Sequence, residues 1–204
     1  MATRKYEQRL RAQSAEETRR RILDAVYERL REAPAQPVSV DQVARMAGVA
    51  RSTVYLIFGS RAGLFDALGK DLYERAGRDR LVEAVSHPDA REHMRGGLRR
   101  GAEMFAAYAD VFRALFSMAK LDEEAVGGAV ARMEEIRAGG MARVARSLAE
   151  QDVLRPGVTE EEAANVMWLL ASFDAFDSLY TGRGLSLDEV VGVLVATAER
   201  TLCR

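Results

Sequence analysis

The stretch VARMAGVARSTVYLIFGSRAGLF, Val43–Phe65, holds two short apolar-periodic segments where one long helix would have a single unbroken pattern. Gly48 and Gly59 divide it, because glycine fits the left-handed conformation that follows a helix end. Polar residues at positions 51–53 open the second segment. Two short helices joined by a tight glycine turn are typical of a helix-turn-helix motif. We therefore expect a helix over 50–58 whose N-terminal end is exposed.

The residues around this stretch carry helix start signals. Ser39 precedes Gln42 by three residues, which is the spacing of a capping box, and Val38 and Val43 occupy the two positions of a hydrophobic staple. Ser60 can cap a further helix after Gly59. A helix over about 39–47 and another from about 60 therefore flank the predicted turn.

The rest of the chain has the apolar periodicity of helices and no persistent strand-like alternation. The four prolines all fall between periodic segments, where helix breakers belong. An all-α fold of about nine helices is predicted. Besides the three just described, we expect helices near 14–32, 89–109, 110–120, 122–151, 159–181 and 186–202.

Composition narrows the class of protein. The net charge of −1 divides into 16 Lys/Arg against 11 Asp/Glu over 1–80 and 14 against 20 over 81–204. A basic first part suggests a polyanionic partner, although chance clustering is the competing explanation. The single cysteine, Cys203, and two histidines separated by Pro88 do not suggest a metal site. No apolar run reaches bilayer length and no secretory-type leader is evident, so we expect a cytoplasmic protein.

The segments TRRRILDAVYERL and VSVDQVARMAGVARSTVYLIFGSRAGLFDAL, within Thr18–Leu68, resemble the DNA-binding domain of the tetracycline-repressor (TetR) family of bacterial regulators. The Arg and Lys residues over 1–13 indicate a basic arm, with a disordered tail or an extension of the first helix as the alternatives. The resemblance implies a three-helix DNA-binding domain over 14–68 and a helical ligand-binding and dimerisation domain over 69–204. The sequence departs from the family pattern at Leu56 and Ile57, where an aromatic residue or histidine is common. Leu56 cannot form a hydrogen bond to DNA.

The expected DNA contacts come from the helix-turn-helix. Arg51, Ser52 and Thr53 lie in the first turn of the second helix, the end that reaches base edges in the major groove. Arg51 could bind guanine bidentately or pair with phosphate. The resemblance implies a phosphate contact by Tyr55 and another at Arg61, where family members usually have lysine. The remaining candidates are the backbone amide of Ser39 and, in the arm, Arg4, Lys5, Arg9 and Arg11.

Two sites are expected in the second domain. The apolar stripe of the last helix predicts a dimer interface, shared with the 159–181 helix; its residues are Leu187, Val191, Leu194 and Ala198. An effector pocket is expected among aromatic and apolar side chains: Phe105, Tyr108, Phe112, Phe116, Met133, Trp168 and Phe173, with Asp174 as the polar group. For Asp174, and for Asp177 one turn on, a pocket, the dimer interface and solvent all remain open.

These features predict a homodimeric, ligand-responsive transcriptional regulator without a cofactor. It would bind a palindromic DNA operator and be released by a small, largely apolar or aromatic effector, with repression favoured by the resemblance. An architectural DNA-binding protein without an effector is the first alternative. An enzyme with an accessory helix-turn-helix is the second, although the sequence contains no recognisable catalytic motif. The sequence does not identify the effector, the operator or the regulated genes.

Overall fold

The computed structural model describes residues 2–34, 36–77 and 87–204. Its described residues are almost entirely helical, with ten α-helices and one π-helical turn, and they contain no β-strand. The helices are α1 (Ala2–Glu32), α2 (Val40–Met46), α3 (Arg51–Phe58), α4 (Arg61–Arg75), α5 (Ala90–Ala107), α6 (Ala109–Leu121), α7 (Gly128–Glu150), α8 (Glu160–Leu170), α9 (Phe173–Tyr180) and α10 (Leu187–Leu202). The π turn is Glu123–Gly127. The predicted all-α class is therefore confirmed.

The chain divides into two compact units. The first unit comprises Met1–Asp71 and Arg113–Val130, and the second comprises Leu72–Phe112 and Ala131–Arg204. The division passes through α6 and α7, so a segment from the middle of the chain groups with the helix-turn-helix. No described helix is long and apolar enough to cross a bilayer.

Helix α1 begins at Ala2, twelve residues before the predicted start at Ser14. Ser14 does not cap the helix; it lies inside it, and its carbonyl accepts a hydrogen bond from Thr18 Oγ1 at 2.8 Å. The cause is composition, because residues 2–32 contain neither glycine nor proline and are rich in good helix formers. The second half of α1 contributes to the core, because Ile22, Val26 and Leu30 on one face of it are fully buried.

The helix-turn-helix forms as the sequence predicts. Ser39 caps α2, and its hydroxyl accepts a hydrogen bond from the Gln42 amide at 3.4 Å. Gly48 has φ +65°, and the Val49 amide returns to the Ala44 carbonyl at 3.0 Å, which is the bond that closes a helix with a left-handed residue. Most of the apolar residues that fix the angle of α2 and α3 are buried: Val43, Ala44, Ala47 and Val54.

Helix α4 follows α3 almost without a linker. Gly59 has φ +75°, and the Ser60 hydroxyl accepts a hydrogen bond from the Gly63 amide at 3.0 Å. A side chain at Gly63 would place its Cβ 2.0 Å from the Phe58 carbonyl oxygen. The close approach of α4 to the end of α3 therefore requires glycine at this position.

The second unit is built around the packing of α10 on α5. Met94, Leu148 and Ala198 belong to a core cluster whose members come from α5, α7, α8 and α10. The end of α10 is fixed by a short antiparallel bridge, in which the Arg155 amide donates to the Leu202 carbonyl at 2.8 Å. The last helix thus packs one face into the core of this unit.

The predicted helix over 159–181 is in fact two helices. Helix α8 ends at Leu170, and Ser172 adopts an extended conformation and caps α9 by accepting a hydrogen bond from the Ala175 amide at 3.1 Å. The break contains no glycine or proline, which is why the sequence did not reveal it. The sequence prediction assigned residues after 171 to helix faces as if one helix ran through them. Because α9 begins separately at Phe173, these side chains point in other directions than predicted.

Candidate functional site

The exposed face of α3 is opposite its buried residue Val54. Residues four apart share a helix face, so Ser52 and Leu56 lie together on the solvent side, and both are exposed. Arg51 and Tyr55 form the adjacent row, and Arg51 is also exposed. The sequence predicted polar contacts here, and the structure adds an apolar residue at the centre of the same surface.

Arg51 is held by two neighbours. Its Nη1 donates to both carboxylate oxygens of Asp41 at 3.1 and 3.3 Å, and its Nη2 donates to the Tyr55 hydroxyl at 3.3 Å. The guanidinium also lies over the Tyr55 ring, 5.5 Å from its centroid. The hydrogen bond to Tyr55 and the charge of Asp41 raise the pKa of Arg51, so it is a permanent cation at the surface. Sequence reasoning missed Asp41, which lies ten residues away on α2.

Ser39 and Thr53 lie at the beginning of the two helices. Ser39 is exposed at the start of α2, and its side chain is used in capping, which leaves the proposed backbone contact open. Thr53 is half-buried in the first turn of α3, and its amide donates to the Ala50 carbonyl at 2.9 Å. Ala50, the residue before α3, has no side-chain oxygen. The first backbone amides of α3 therefore receive no hydrogen bond to a capping side chain.

Arg61 is engaged within the first unit. Its Nε donates to the Val38 carbonyl at 3.1 Å, and its Nη1 forms an ion pair with Asp122, the residue that caps the π turn. The guanidinium lies over the Phe65 ring, 5.6 Å from the centroid. Both members of the ion pair are partly buried. The predicted phosphate contact of Arg61 stays a prediction, and it would compete with these three interactions.

The side chains of the basic arm, Arg4, Lys5, Arg9 and Arg11, lie outside the described residues, although the backbone there is helical. Their contribution to DNA binding stays a prediction. Farther along α1, Arg19 extends over the Phe58 ring at 5.7 Å and links α1 to α3.

Three of the predicted pocket residues form a packed aromatic cluster in the second unit. The Phe105 centroid lies 5.0 Å from that of Phe112 and 5.4 Å from that of Phe173, and Phe112 and Phe173 are 5.6 Å apart. Phe176, which sequence reasoning did not include, joins the cluster 5.7 Å from Phe105. These rings fill the space that a pocket among them would need, so a guest would have to separate them.

The other predicted pocket residues are dispersed. Met133 is buried, and Tyr108 is half-buried. Phe116 is half-buried and belongs to the first unit. Trp168 is 43% exposed, and the Arg137 guanidinium lies over its ring, 4.7 Å from the ring centroid.

Asp174 does not lie among the buried rings. It is exposed in the first turn of α9, a consequence of the break at Ser172. Asp177, one turn later, is half-buried and accepts a hydrogen bond from the Thr181 hydroxyl at 2.7 Å. Its exposure favours the solvent or dimer alternative for Asp174, and its assignment as the pocket's polar group stays a prediction.

The predicted dimer stripe is corrected at three of its four positions, and Leu187 stays a prediction. Val191, Leu194 and Ala198 are at most 4% exposed, because this side of α10 packs into the unit's own core, and Leu187 is half-buried. A side chain covered by its own protomer cannot supply a partner contact. The apolar residues that remain at the surface of α8 and α10 are Trp168, Leu169 and Val193, which are 43%, 61% and 43% exposed.

Comparisons with known proteins agree with this architecture. Residues 22–68 match the family model of bacterial regulatory proteins of the tetR family. The comparison with curated proteins gives no match. Among solved structures, NalD of Pseudomonas aeruginosa, described as the secondary repressor of the MexAB-OprM multidrug efflux pump, superimposes with a TM-score of 0.71 at 23% identity, over 93% of this chain and 98% of its own.

Two further structures show the same fold. A TetR transcription regulator from Haloarcula marismortui has a TM-score of 0.70 at 18% identity, over 92% of this chain and 99% of that one. A TetR family transcription regulator from Marinobacter aquaeolei has a TM-score of 0.68 at 17% identity, over 94% and 98%. Residues 22–68 are therefore similar to bacterial regulatory proteins of the tetR family, and the described chain has the fold of these solved TetR-family structures.

Proposed function

We propose that the protein is a transcriptional repressor that binds an inverted-repeat operator as a homodimer and is released from it by a small-molecule effector. The observation that carries the DNA-binding part is the surface of exposed Arg51 and Ser52 with half-buried Tyr55 on α3, the second helix of a helix-turn-helix. The N-terminal end of this helix enters the major groove in such motifs.

The chemistry of this surface suits a duplex. Arg51 presents a guanidinium oriented by Asp41, and its remaining N–H groups could bind guanine O6 and N7, the commonest specific contact in the major groove. The Tyr55 hydroxyl could donate to a phosphate while it still accepts from Arg51. The excess of basic residues over 1–80 would add affinity that is independent of sequence.

A homodimer is part of the same proposal. One α3 helix covers only one half-site, and two copies of the chain would place two recognition helices on half-sites about 34–36 Å apart. We assign the interface to the exposed sides of α8 and α10, where Trp168, Leu169 and Val193 would bury their apolar surface against a second copy. The helices are those expected from the sequence, but the face of α10 is the opposite one.

The effector would bind in the second unit by opening the aromatic cluster of Phe105, Phe112 and Phe173. Rings that pack edge-to-face can separate around a flat apolar guest, which would replace their mutual contacts. A ligand that binds better to the opened state shifts the population toward it, and release from DNA follows if that state spaces α3 incorrectly. The NalD structure, a repressor of an efflux pump, supports repression as the direction of control.

The experiment is to select genomic fragments bound by the full chain, footprint the bound site, and measure affinity over a salt series. We expect two protected half-sites about one helical turn apart and an affinity that falls steeply with salt. An architectural protein would protect DNA without an inverted repeat and would not be released by small molecules. A compound library, screened for release from the selected operator, would then identify the effector class.

A further inference from the structure

Leu56 is the feature of the α3 surface that none of the proposed polar contacts uses. Its side chain is 86% exposed, whereas Val54 on the other side of the same helix is 2% exposed. A single exposed leucine is common on protein surfaces, so exposure alone has little meaning. What distinguishes Leu56 is its place on the helix that the fold presents to DNA.

The helical geometry places Leu56 at the middle of the presented face. Successive residues of an α-helix are about 100° apart, so Leu56 lies about 200° from Val54 and one turn beyond Ser52. Arg51 and Tyr55 form the adjacent row of the same surface, tied together by the Nη2 to hydroxyl hydrogen bond of 3.3 Å. Whatever α3 contacts must therefore cover Leu56 together with these polar groups.

The floor of the major groove offers one good match for such a side chain. Each base pair presents hydrogen-bond donors and acceptors there, and only thymine adds an apolar group, its 5-methyl. Leucine has no donor or acceptor on its side chain. We propose that Leu56 reads the 5-methyl group of one thymine in each operator half-site, an inference that rests on the proposed DNA-binding function.

The size of the effect follows from the area removed from water. Burying one methyl group against Leu56 is expected to change the dissociation constant about fourfold per half-site, or roughly fifteenfold for a dimer on two half-sites. The contact would specify thymine, or 5-methylcytosine at the same position, against unmethylated pyrimidines.

The test uses the full chain and a duplex selected by it from a random library. Each thymine of the half-site is replaced in turn by deoxyuridine, which lacks only the methyl group, and binding is measured by fluorescence anisotropy at one salt concentration. The proteins compared are the wild type, Leu56→Ala and the control Leu121→Ala. Leu121 is 87% exposed at the end of α6, in the same unit, so the control removes an equally exposed leucine elsewhere.

The proposal expects one thymine whose replacement weakens the wild type and Leu121→Ala about fourfold per half-site, and weakens Leu56→Ala hardly at all. Restoring the group with 5-methylcytosine opposite guanine at that position should recover part of the affinity for the wild type and Leu121→Ala, but not for Leu56→Ala. A wild type insensitive to every replacement would overturn the proposal, as would a Leu56→Ala protein that is as sensitive as the wild type. If no duplex is selected at all, the DNA-binding function itself fails and this inference fails with it.

Discussion

At the scale of single residues, Asp41 controls the presentation of Arg51. The carboxylate restrains the guanidinium in one orientation, but it also places a negative charge beside the surface proposed to bind DNA phosphates. The two effects oppose each other in binding. The restraint favours geometry-dependent base readout, and the charge disfavours contact with any DNA.

Asp41→Asn should therefore strengthen binding to a scrambled duplex several-fold while it lowers the ratio of operator to scrambled affinity. The cause is the loss of both the repulsion of phosphate and the restraint on Arg51. Dissociation constants for the two duplexes measure it directly. Glu124→Gln removes one exposed carboxylate outside the helix-turn-helix and serves as the charge control. Identical behaviour of the two variants would show that only net charge matters.

At the scale of helices, the local signals on either side of α3 predicted it well. Ser39, Gly48, Gly59 and Ser60 each act within a few residues, so the sequence reveals them and the structure reproduces them. The break at Ser172 was missed because a serine cap without glycine or proline resembles an ordinary polar residue within a helix.

Gly63 gives a stability test of the junction between α3 and α4. Alanine normally stabilises a helix relative to glycine, but here its Cβ would lie 2.0 Å from a backbone oxygen, and the clash should prevail. Gly63→Ala should lower the free energy of unfolding by about 1–3 kcal/mol in denaturant titration. Gly101→Ala, where no atom lies within 4 Å, should raise it by about 0.5–1 kcal/mol. Equal stabilisation by both substitutions would contradict the described contact.

The Arg61–Asp122 ion pair joins two residues that are 61 positions apart in the sequence, so no local pattern could predict it. Arg61 on α4 binds both the Val38 carbonyl and Asp122 at the π turn. If this link stabilises the fold, Asp122→Asn should lower the free energy of unfolding by about 1–2 kcal/mol. The double variant Arg61→Lys with Asp122→Asn should cost less than the sum of the two single variants. Additive losses would mean that the two residues act independently, and Glu123→Gln controls for removal of a neighbouring charge.

At the scale of the whole molecule, sequence periodicity found the apolar stripe of α10 but could not tell what covers it. Val191, Leu194 and Ala198 satisfy the pattern of a dimer contact equally well when they are buried within their own protomer. The same limit applies to Phe105, Phe112 and Phe173, because aromatic residues at helical spacing occur both in packed cores and in the walls of pockets. Tertiary packing decides both cases.

The dimer proposal predicts different outcomes for the two faces of α10. Leu169→Glu with Val193→Glu, on the exposed side, should give a folded monomer in sedimentation velocity, since charges in an apolar interface are costly. Leu121→Glu should remain dimeric. Val191→Glu, on the buried side, should instead destabilise the protomer itself. A Leu169→Glu, Val193→Glu protein that sediments as a dimer would remove α8 and the exposed side of α10 from the interface.

The most direct test of the central claim, that α3 reads DNA sequence as part of a regulator, is the operator preference of Arg51→Ala. Dissociation constants of the wild type and the variant are measured for the selected operator and for a scrambled duplex at one salt concentration. We expect the variant to lose roughly five- to a hundredfold on the operator, if Arg51 binds guanine bidentately, and far less on the scrambled duplex. An unchanged operator affinity, or an equal loss on both duplexes, would contradict the assignment of α3 as the recognition helix.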